Sequence, residues 1–455
     1  MLVRTLMSLR VFLALMMAGA VTAAWGSDGN PAVRSGPMVG YGDMTEVMMW
    51  VQTDGPATVA YRYWTEGDRS RIRMSSPVRA VEENWFIART MIDSLSPGTR
   101  YAYEVVLNGA VVARPYRLAF QTQPLWQWRT DPPDFSVAFG SCLYVNDTTW
   151  DRPGKPFGGD FRILGAIAAQ RPDIMLWLGD NVYLREGDFG SAARIMERYA
   201  KARAYPELQP LLGASHNYAI WDDHDYGPNN ADRTYPLRRE SLEIFKLFWA
   251  NPTYGTVETP GTFCRWAWGD VEFLLLDDRY HRSPNGMPDG PEVGMLGRGQ
   301  LQWLKESLVS SRAPFKIIVN GGQMLPPNRF ENFRSYRREY DELLSFIRSA
   351  RVPGVMFITG DRHLTELSVI SDSTFYPLYD YTSSPLTSGV ASSLNELGDT
   401  LQVAGTFVND RRNFGVMRFS GTRKDRQVVM ECYDADGTKL WSRTVRASEL
   451  VPPGM

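Results

Sequence analysis

Five strand-like runs in this chain end in the same way, on a glycine or a carboxylate. Residues 135–139 run into Gly140-Ser141-Cys142, and 174–178 into Gly179-Asp180-Asn181-Val182-Tyr183. Residues 218–221 run into Asp222-Asp223-His224-Asp225, 317–320 into Gly321-Gly322-Gln323, and 357–359 into Gly360-Asp361-Arg362-His363. Short continuous apolar runs are the habit of strands buried on both faces, as in parallel sheets covered by helices. Helical spacing near 160–170, 238–250, 299–310 and 340–350, with a further strand candidate at 271–276, completes the alternation. The expected fold is therefore α/β in layers, with β-sheets flanked by helices. Runs at 414–419, 427–433 and 440–445, with the turn Asp434-Ala435-Asp436-Gly437, predict added antiparallel strands. Ligands in such sheets gather at the carboxyl ends of the strands, where glycine lets the backbone come close. Five such endings converge on one site.

Ahead of this region, residues 36–123 read as an all-β sandwich. Alternating runs such as 47–51 and 58–64 are separated by the turns Asp54-Gly55-Pro56 and Glu66-Gly67-Asp68. The stretch Leu95-Ser96-Pro97-Gly98-Thr99-Arg100-Tyr101 resembles the corner of fibronectin type III and immunoglobulin-like sandwiches, where a tyrosine hydroxyl locks onto nearby backbone. Pro124, Pro132 and Pro133 mark residues 123–133 as a linker to a second domain spanning 134–450. Residues 1–24 read as an export signal: Arg4 and Arg10, an apolar run from 11 to 21, then Thr22-Ala23-Ala24. That run is too short for the ~20 residues of a spanning helix. The expected location is periplasmic or extracellular, with no transmembrane anchor once the signal is cleaved.

Composition narrows the chemistry. The 49 Lys+Arg against 51 Asp+Glu give no bulk electrostatic support for a nucleic-acid-binding module. Three cysteines, Cys142, Cys264 and Cys432, are no disulfide framework. Four histidines, His216, His224, His281 and His363, exclude a cluster of many imidazoles, so any metal leans on oxygen and sulfur. The strand ends supply such donors: Cys142, Asp180, Tyr183, Asp223, Asn229, Asp361 and His363. This mixture suits two unlike ions, a transition metal on Cys, Tyr and His and a hard ion on oxygens, with Asp180 able to bridge them. Two such ions can clamp a phosphoryl group and activate water for in-line attack. His363 follows Asp361 by two residues, so an extended segment points both to one side. His224 is a candidate to stabilise the transition state or protonate a leaving group. Arg279, Arg282 and Arg362 are candidates to fork onto phosphate oxygens, and Asp222 and Asp225 to orient ligands.

These residues resemble the alkaline phosphatase D (PhoD-like) family within the calcineurin-like metallophosphoesterases. The resemblance rests on Gly140-Ser141-Cys142, Gly179-Asp180-Asn181-Val182-Tyr183, Trp221-Asp222-Asp223-His224-Asp225-Tyr226-Gly227-Pro228-Asn229-Asn230, Leu276-Asp277-Asp278-Arg279, Gly360-Asp361-Arg362-His363 and Ser383-Ser384-Pro385-Leu386-Thr387-Ser388-Gly389. It covers residues 135–419, and the preceding sandwich fits the family layout. It implies hydrolysis of phosphate esters, diesters especially, with Fe³⁺ and Ca²⁺, other divalent metals being alternatives. Cys142, Asp180, Tyr183 and His363 would hold the iron, and Asp180 and Asp361 would reach calcium. The superfamily places an Asn-His pair where this chain has Asp223-His224, so Asp223 and Asn229 compete as ligand. His224, Asp223 and Arg362 become the catalytic candidates, and Arg279 and Arg282 the substrate-binding ones. The substrate is a small or polymeric phosphate ester. Phospholipids or teichoic-acid-like polymers are an alternative for the same site, and a non-catalytic surface binding protein is the alternative from another class.

Overall fold

The computed structural model describes residues 31–327, 332–392 and 400–454. The expected export signal lies outside the described residues. The apolar runs pair as parallel strands, divided between two sheets. The first has nine strands, in the order Lys439–Arg446, Gln427–Asp434, Asn413–Ser420, Phe135–Gly140, Ile174–Leu178, His216–Ile220, Val33–Gly42, Val47–Thr53 and Ile87–Ile92. Its parallel centre registers Phe139 opposite Leu176 and Leu178 opposite Ile220. The second has six strands, in the order Cys264–Trp268, Val271–Leu275, Phe315–Val319, Val355–Thr359, Phe375–Thr382 and Glu366–Asp372.

The two sheets share one apolar core. Val137, Phe139 and Leu176 from the first and Phe273, Ile317 and Phe357 from the second belong to a single buried cluster. Tyr218 stacks on Trp266 across it, ring centres 3.8 Å apart, the kind of aromatic pair that contributes about 1 kcal/mol beyond its buried area. The outer face of the nine-stranded sheet is covered by helices Arg162–Ala169, Ala192–Arg203 and Arg238–Phe248. Helices Arg298–Ser310 and Arg337–Ser349 pack on the six-stranded sheet. The layers thus run helix, sheet, sheet, helix. Helix Ala192–Arg203 is absent from the sequence reading; Ser191 starts it, its side chain accepting the Arg194 N–H.

The N-terminal sandwich is present, its second sheet built on Ala57–Thr65 and Arg100–Leu107 and packed over Val39, Met49, Tyr61 and Tyr103. Its tyrosine corner is made as expected, the Tyr101 hydroxyl accepting the Ser96 N–H at 2.9 Å. Besides the chain segment 123–133, strand pairing joins the sandwich to the second domain. Strand Val33–Gly42 lies parallel to His216–Ile220, Val39 opposite His216, so one sandwich sheet continues directly into the second domain. His216 pins this seam, its ring nitrogens 2.9 Å from the Gly40 carbonyl and 2.8 Å from that of Gln121. No helix among the described residues is long and apolar enough to cross a membrane.

Candidate metal centre

The carboxyl ends of Phe135–Gly140, Ile174–Leu178 and His216–Ile220 in one sheet and Val355–Thr359 in the other open onto the same edge. Immediately past them the chain turns sharply. Cys142, Asp180, Asp361 and His363 all adopt positive φ, at 63°, 53°, 67° and 56°. Each such residue costs on the order of 1–3 kcal/mol, and four of them in one place mark a site the fold is built to hold. Two glycines make the approach possible. A Cβ on Gly179, itself at φ +90°, would lie 2.7 Å from the Asp222 Cβ, and one on Gly360 would lie 2.6 Å from the Ser141 Oγ.

Asp180 sits at the middle. Its Oδ2 accepts the Tyr183 hydroxyl at 3.0 Å and lies 3.6 Å from the Cys142 Sγ. Its Oδ1 accepts the His224 backbone N–H at 3.2 Å. The Tyr183 hydroxyl is also 3.4 Å from the His363 Nε2. On the other side, Asp223 accepts the N–H groups of His224 at 2.9 Å and Asn230 at 2.6 Å. Ligand atoms fall into three overlapping groups, the members of each within 4.8 Å of one another: Cys142, Asp180, His363; Asp180, Asp223, His224; and Asp222, Asp223, Asp361. Among the described residues, sulfur, phenol and the His363 ring thus gather with Asp180 in one group, and Asp223 and His224 with Asp180 in another. The His224 ring stacks on Tyr183 at 4.4 Å.

Without a cation the cluster resists ionisation. Burial, and then the charges of Asp223, Cys142, Asp225 and Asp361, push the Asp180 carboxyl far above the usual carboxylate range. Burial and the Asp361 charge push the Cys142 thiol up to about 11. Burial and Asp180 push the Tyr183 phenol upward as well. For Asp223 burial also pushes up, but His224, Arg279 and the Asn230 N–H outweigh it and hold the carboxyl below its usual range. Burial lowers both His224 and His363, leaving lone pairs available to a metal. The Asp222 Oδ2 is buried with no hydrogen-bond partner among the described residues. Packed carboxylates with an orphaned oxygen, met by the buried Arg279, are a donor set that fits cations.

Several expectations change. Arg279 and Arg282 have no exposed surface with which to meet a substrate. Arg279 places its Nε and Nη2 2.6 and 2.5 Å from the Asp222 Oδ1, and Arg282 donates to the Asn285 Oδ1 at 3.0 Å; both guanidiniums serve the scaffold. Arg362 instead lines a cleft of about 450 Å³ with Asp361, Asn230, Asn285, Met287 and Tyr336. Asn229 is exposed while Asn230 turns its N–H onto Asp223, so the geometry favours Asp223 of the two competing ligands. Gln323, though it follows a strand end, bonds Glu366 and Thr382 inside the second sheet. Asp225 knits the loops, accepting the N–H groups of Asn181, Val182 and Asp222. His281 bonds the Pro260 carbonyl away from the cluster. Cys264 and Cys432 are free and buried. A larger cavity of about 670 Å³ lies beyond Phe157 and holds none of the ligand atoms.

Ser384 and Ser388, quoted above only within a motif and with no role, meet the sulfur and the His363 ring. Ser384 Oγ donates to the Cys142 Sγ at 3.2 Å and accepts the His363 N–H at 3.0 Å, and Ser388 Oγ lies 3.4 Å from the His363 Nε2. They follow Phe375–Thr382, a further strand ending at this edge, parallel to Val355–Thr359. Its polar, tyrosine-rich sequence hides it from a search for apolar runs.

Comparison with known proteins agrees with this geometry. Residues 138–422 match the PhoD-like phosphatase family, and residues 30–125 match a domain of unknown function, DUF7800. Alkaline phosphatase D of Bacillus subtilis (strain 168) is 21% identical over 416 residues, covering 74% of this chain and 69% of that protein. The solved structure of PhoD superposes with a TM-score of 0.74 at 17% identity, covering 92% of this chain and 93% of the other. A purple acid phosphatase, PPD1, from yellow lupin (Lupinus luteus) seeds superposes with a TM-score of 0.65 at 13% identity, covering 92% and 74%. The family match takes in more than half of the chain and every strand end that carries a donor, so this chain belongs to the PhoD-like phosphatases and is a phosphoric ester hydrolase.

Proposed function

We propose that the chain is an exported phosphoesterase that depends on two unlike metal ions. Cys142, Tyr183, His363 and one oxygen of Asp180 would hold a transition metal, ferric iron by resemblance to the family and by the fit of a phenolate to a hard ion. Asp180, Asp223 and Asp361, with the orphaned oxygen of Asp222, would hold a hard cation such as Ca²⁺. The observation that carries this reading is that Asp180 belongs both to the group with Cys142 and His363, beside the Tyr183 phenol, and to the group with Asp223 and His224. Bound ions would supply Lewis acidity toward a phosphoryl oxygen and a water made nucleophilic at neutral pH.

The protein's own groups then divide the remaining work. Arg362, in the cleft beside Asp361, meets non-bridging phosphate oxygens as a forked donor. His224 is tied through its backbone to Asp180 and Asp223 and through its ring to Tyr183. Its imidazole can ligate beside these carboxylates or hand a proton to the leaving group. The mixed wall of Asn230, Asn285, Met287 and Tyr336 receives the ester's organic part. Export rests on the Arg4–Arg10 charges and apolar run ahead of Thr22-Ala23-Ala24.

The test is metal analysis of purified protein together with hydrolysis of a chromogenic monoester and diester. The expected result is two kinds of bound metal, ester turnover abolished by chelation, and turnover restored by re-addition. Full turnover of both esters by exhaustively chelated protein would overturn the reading.

A further inference from the structure

We propose that Tyr144 and Arg185 are positioning residues that set the orientation of the Tyr183 phenol. The inference rests on the reading of Tyr183 as a metal ligand for its purpose, though not for its geometry. Tyr183 meets two rings. His224 stacks on it at 4.4 Å, and the Tyr144 ring lies against it at 4.8 Å, tilted by 56°. Tyr144 is itself fixed at its far end, its hydroxyl donating to the Asp151 Oδ1 at 2.8 Å. The same oxygen accepts the Arg185 Nε at 2.8 Å. The guanidinium of Arg185 lies over the Tyr144 ring, 4.1 Å from its centre. Its Nη1 donates to the backbone carbonyl of Tyr183 at 2.5 Å and its Nη2 to that of Val145 at 3.1 Å.

These contacts close a ring: Tyr183 carbonyl, Arg185, Asp151, Tyr144 hydroxyl, Tyr144 ring, Tyr183 ring. It joins the loop after Phe135–Gly140 to the loop after Ile174–Leu178. A second set of ion pairs anchors it, Arg198 reaching Asp147 at 2.7 Å and Asp188 at 2.8 Å, while Asp188 also accepts the Arg185 N–H at 2.8 Å. Rotation about Cα–Cβ would otherwise let the phenol swing away from Asp180 and His363. The bracket removes that freedom in advance, so the phenol oxygen sits 3.0 Å from Asp180 and 3.4 Å from His363. Groups that orient a ligand in this way are worth on the order of 10–100-fold in metal affinity.

The experiment labels the full chain with 3-fluorotyrosine and assigns the Tyr183 fluorine signal as the one missing in Tyr183→Phe. Wild type, Tyr144→Ala, Tyr144→Phe and Arg185→Met are compared with and without chelator, each checked by its melting curve. The expected result is a Tyr183 signal displaced in Tyr144→Ala and Arg185→Met and displaced less in Tyr144→Phe, which keeps the ring contact and loses the tether. A Tyr183 signal unmoved in all three variants overturns the proposal. In parallel, metal loss to a chelator should accelerate about tenfold in Tyr144→Ala and not at all when the same change is made in Tyr183→Phe. Equal acceleration in both backgrounds also overturns it, since the effect would then bypass Tyr183. A wild type that takes up no metal overturns the metal-ligand reading of Tyr183, while the chelator-treated fluorine spectra still decide the bracket.

Discussion

Replacing Arg279 by methionine separates a scaffold role from a substrate-binding role. Both residues of the Arg279–Asp222 pair are fully buried, and two guanidinium nitrogens share one carboxylate oxygen at 2.5–2.6 Å. At an effective dielectric of about 20, charges at this separation attract by roughly 6 kcal/mol, and desolvation offsets much of that. Removing one partner alone is worse than removing both, because Asp222 would stay buried among Asp278, Asp223 and Asp361 with no counter-charge. Breaking such a pair typically costs about 3–5 kcal/mol. In a chain of this size that corresponds to a fall in Tm of roughly 3–5 °C. Thermal and urea unfolding in the presence of chelator should therefore show a large loss for Arg279→Met and recovery of most of it in Arg279→Met/Asp222→Asn. Added cation should restore part of the single variant's stability, since a metal supplies the missing positive charge. A single variant as stable as wild type but with a raised KM would refute this reasoning and return Arg279 to the substrate.

Other outcomes follow from particular contacts. His216→Ala removes the ring that lies between the carbonyls of Gly40 and Gln121 at the seam between sandwich and second domain; burial favours the neutral imidazole, which donates to one of them, so at about 1–3 kcal/mol per unpaired group urea unfolding should show a loss of roughly 1–3 kcal/mol, and an unchanged stability argues that the seam is not held there. Burial lowers the Lys316 ammonium to about 8 against its usual 10.5, with Glu272 opposing. Because the unfolded chain keeps its proton longer, wild-type stability rises as pH climbs from 8 to 10.5, by up to about 3 kcal/mol. The stability difference between Lys316→Met and wild type, measured by urea unfolding at pH 7 and pH 10, should shift toward wild type by that order; a pH-independent difference contradicts it. Gly360→Ala drives a methyl to within 2.6 Å of the Ser141 Oγ and 3.1 Å of the Leu178 carbonyl, so metal retention should fall along with stability, and a variant that keeps both would show the loop to be slack.

Much of the site could be read from the residues because the donors sit where continuous apolar strands stop. Cys142, Asp180, Asp223, Asp361 and His363 all follow such endings, and the fold brings their ligand atoms together. The same rule misplaces Gln323, whose strand ends at the same edge but whose side chain turns inward to Glu366 and Thr382. It also passes over Ser384, because Phe375–Thr382 is too polar to register as a buried run. Arg279, Arg282 and Arg362 look alike in sequence; they differ in that Arg279 and Arg282 are fully enclosed while Arg362 lines the cleft. The continuous sheet between the sandwich and the second domain was invisible for a related reason. It depends on Val39 meeting His216, 177 positions later, and no local pattern encodes that distance. Tyr144, Arg185 and Asp151 lie in loops, where neither periodicity nor spacing signals that they will enclose a ligand.

A transition metal held through the Cys142 sulfur, beside a second ion held by oxygens, is the assignment on which the proposed chemistry rests. X-ray absorption at the edge of the bound transition metal decides it, in wild type and Cys142→Ser. Wild type should show a single sulfur scatterer, lost in the serine variant while the lighter nitrogen and oxygen shell remains. A wild-type metal surrounded by nitrogen and oxygen alone would overturn it.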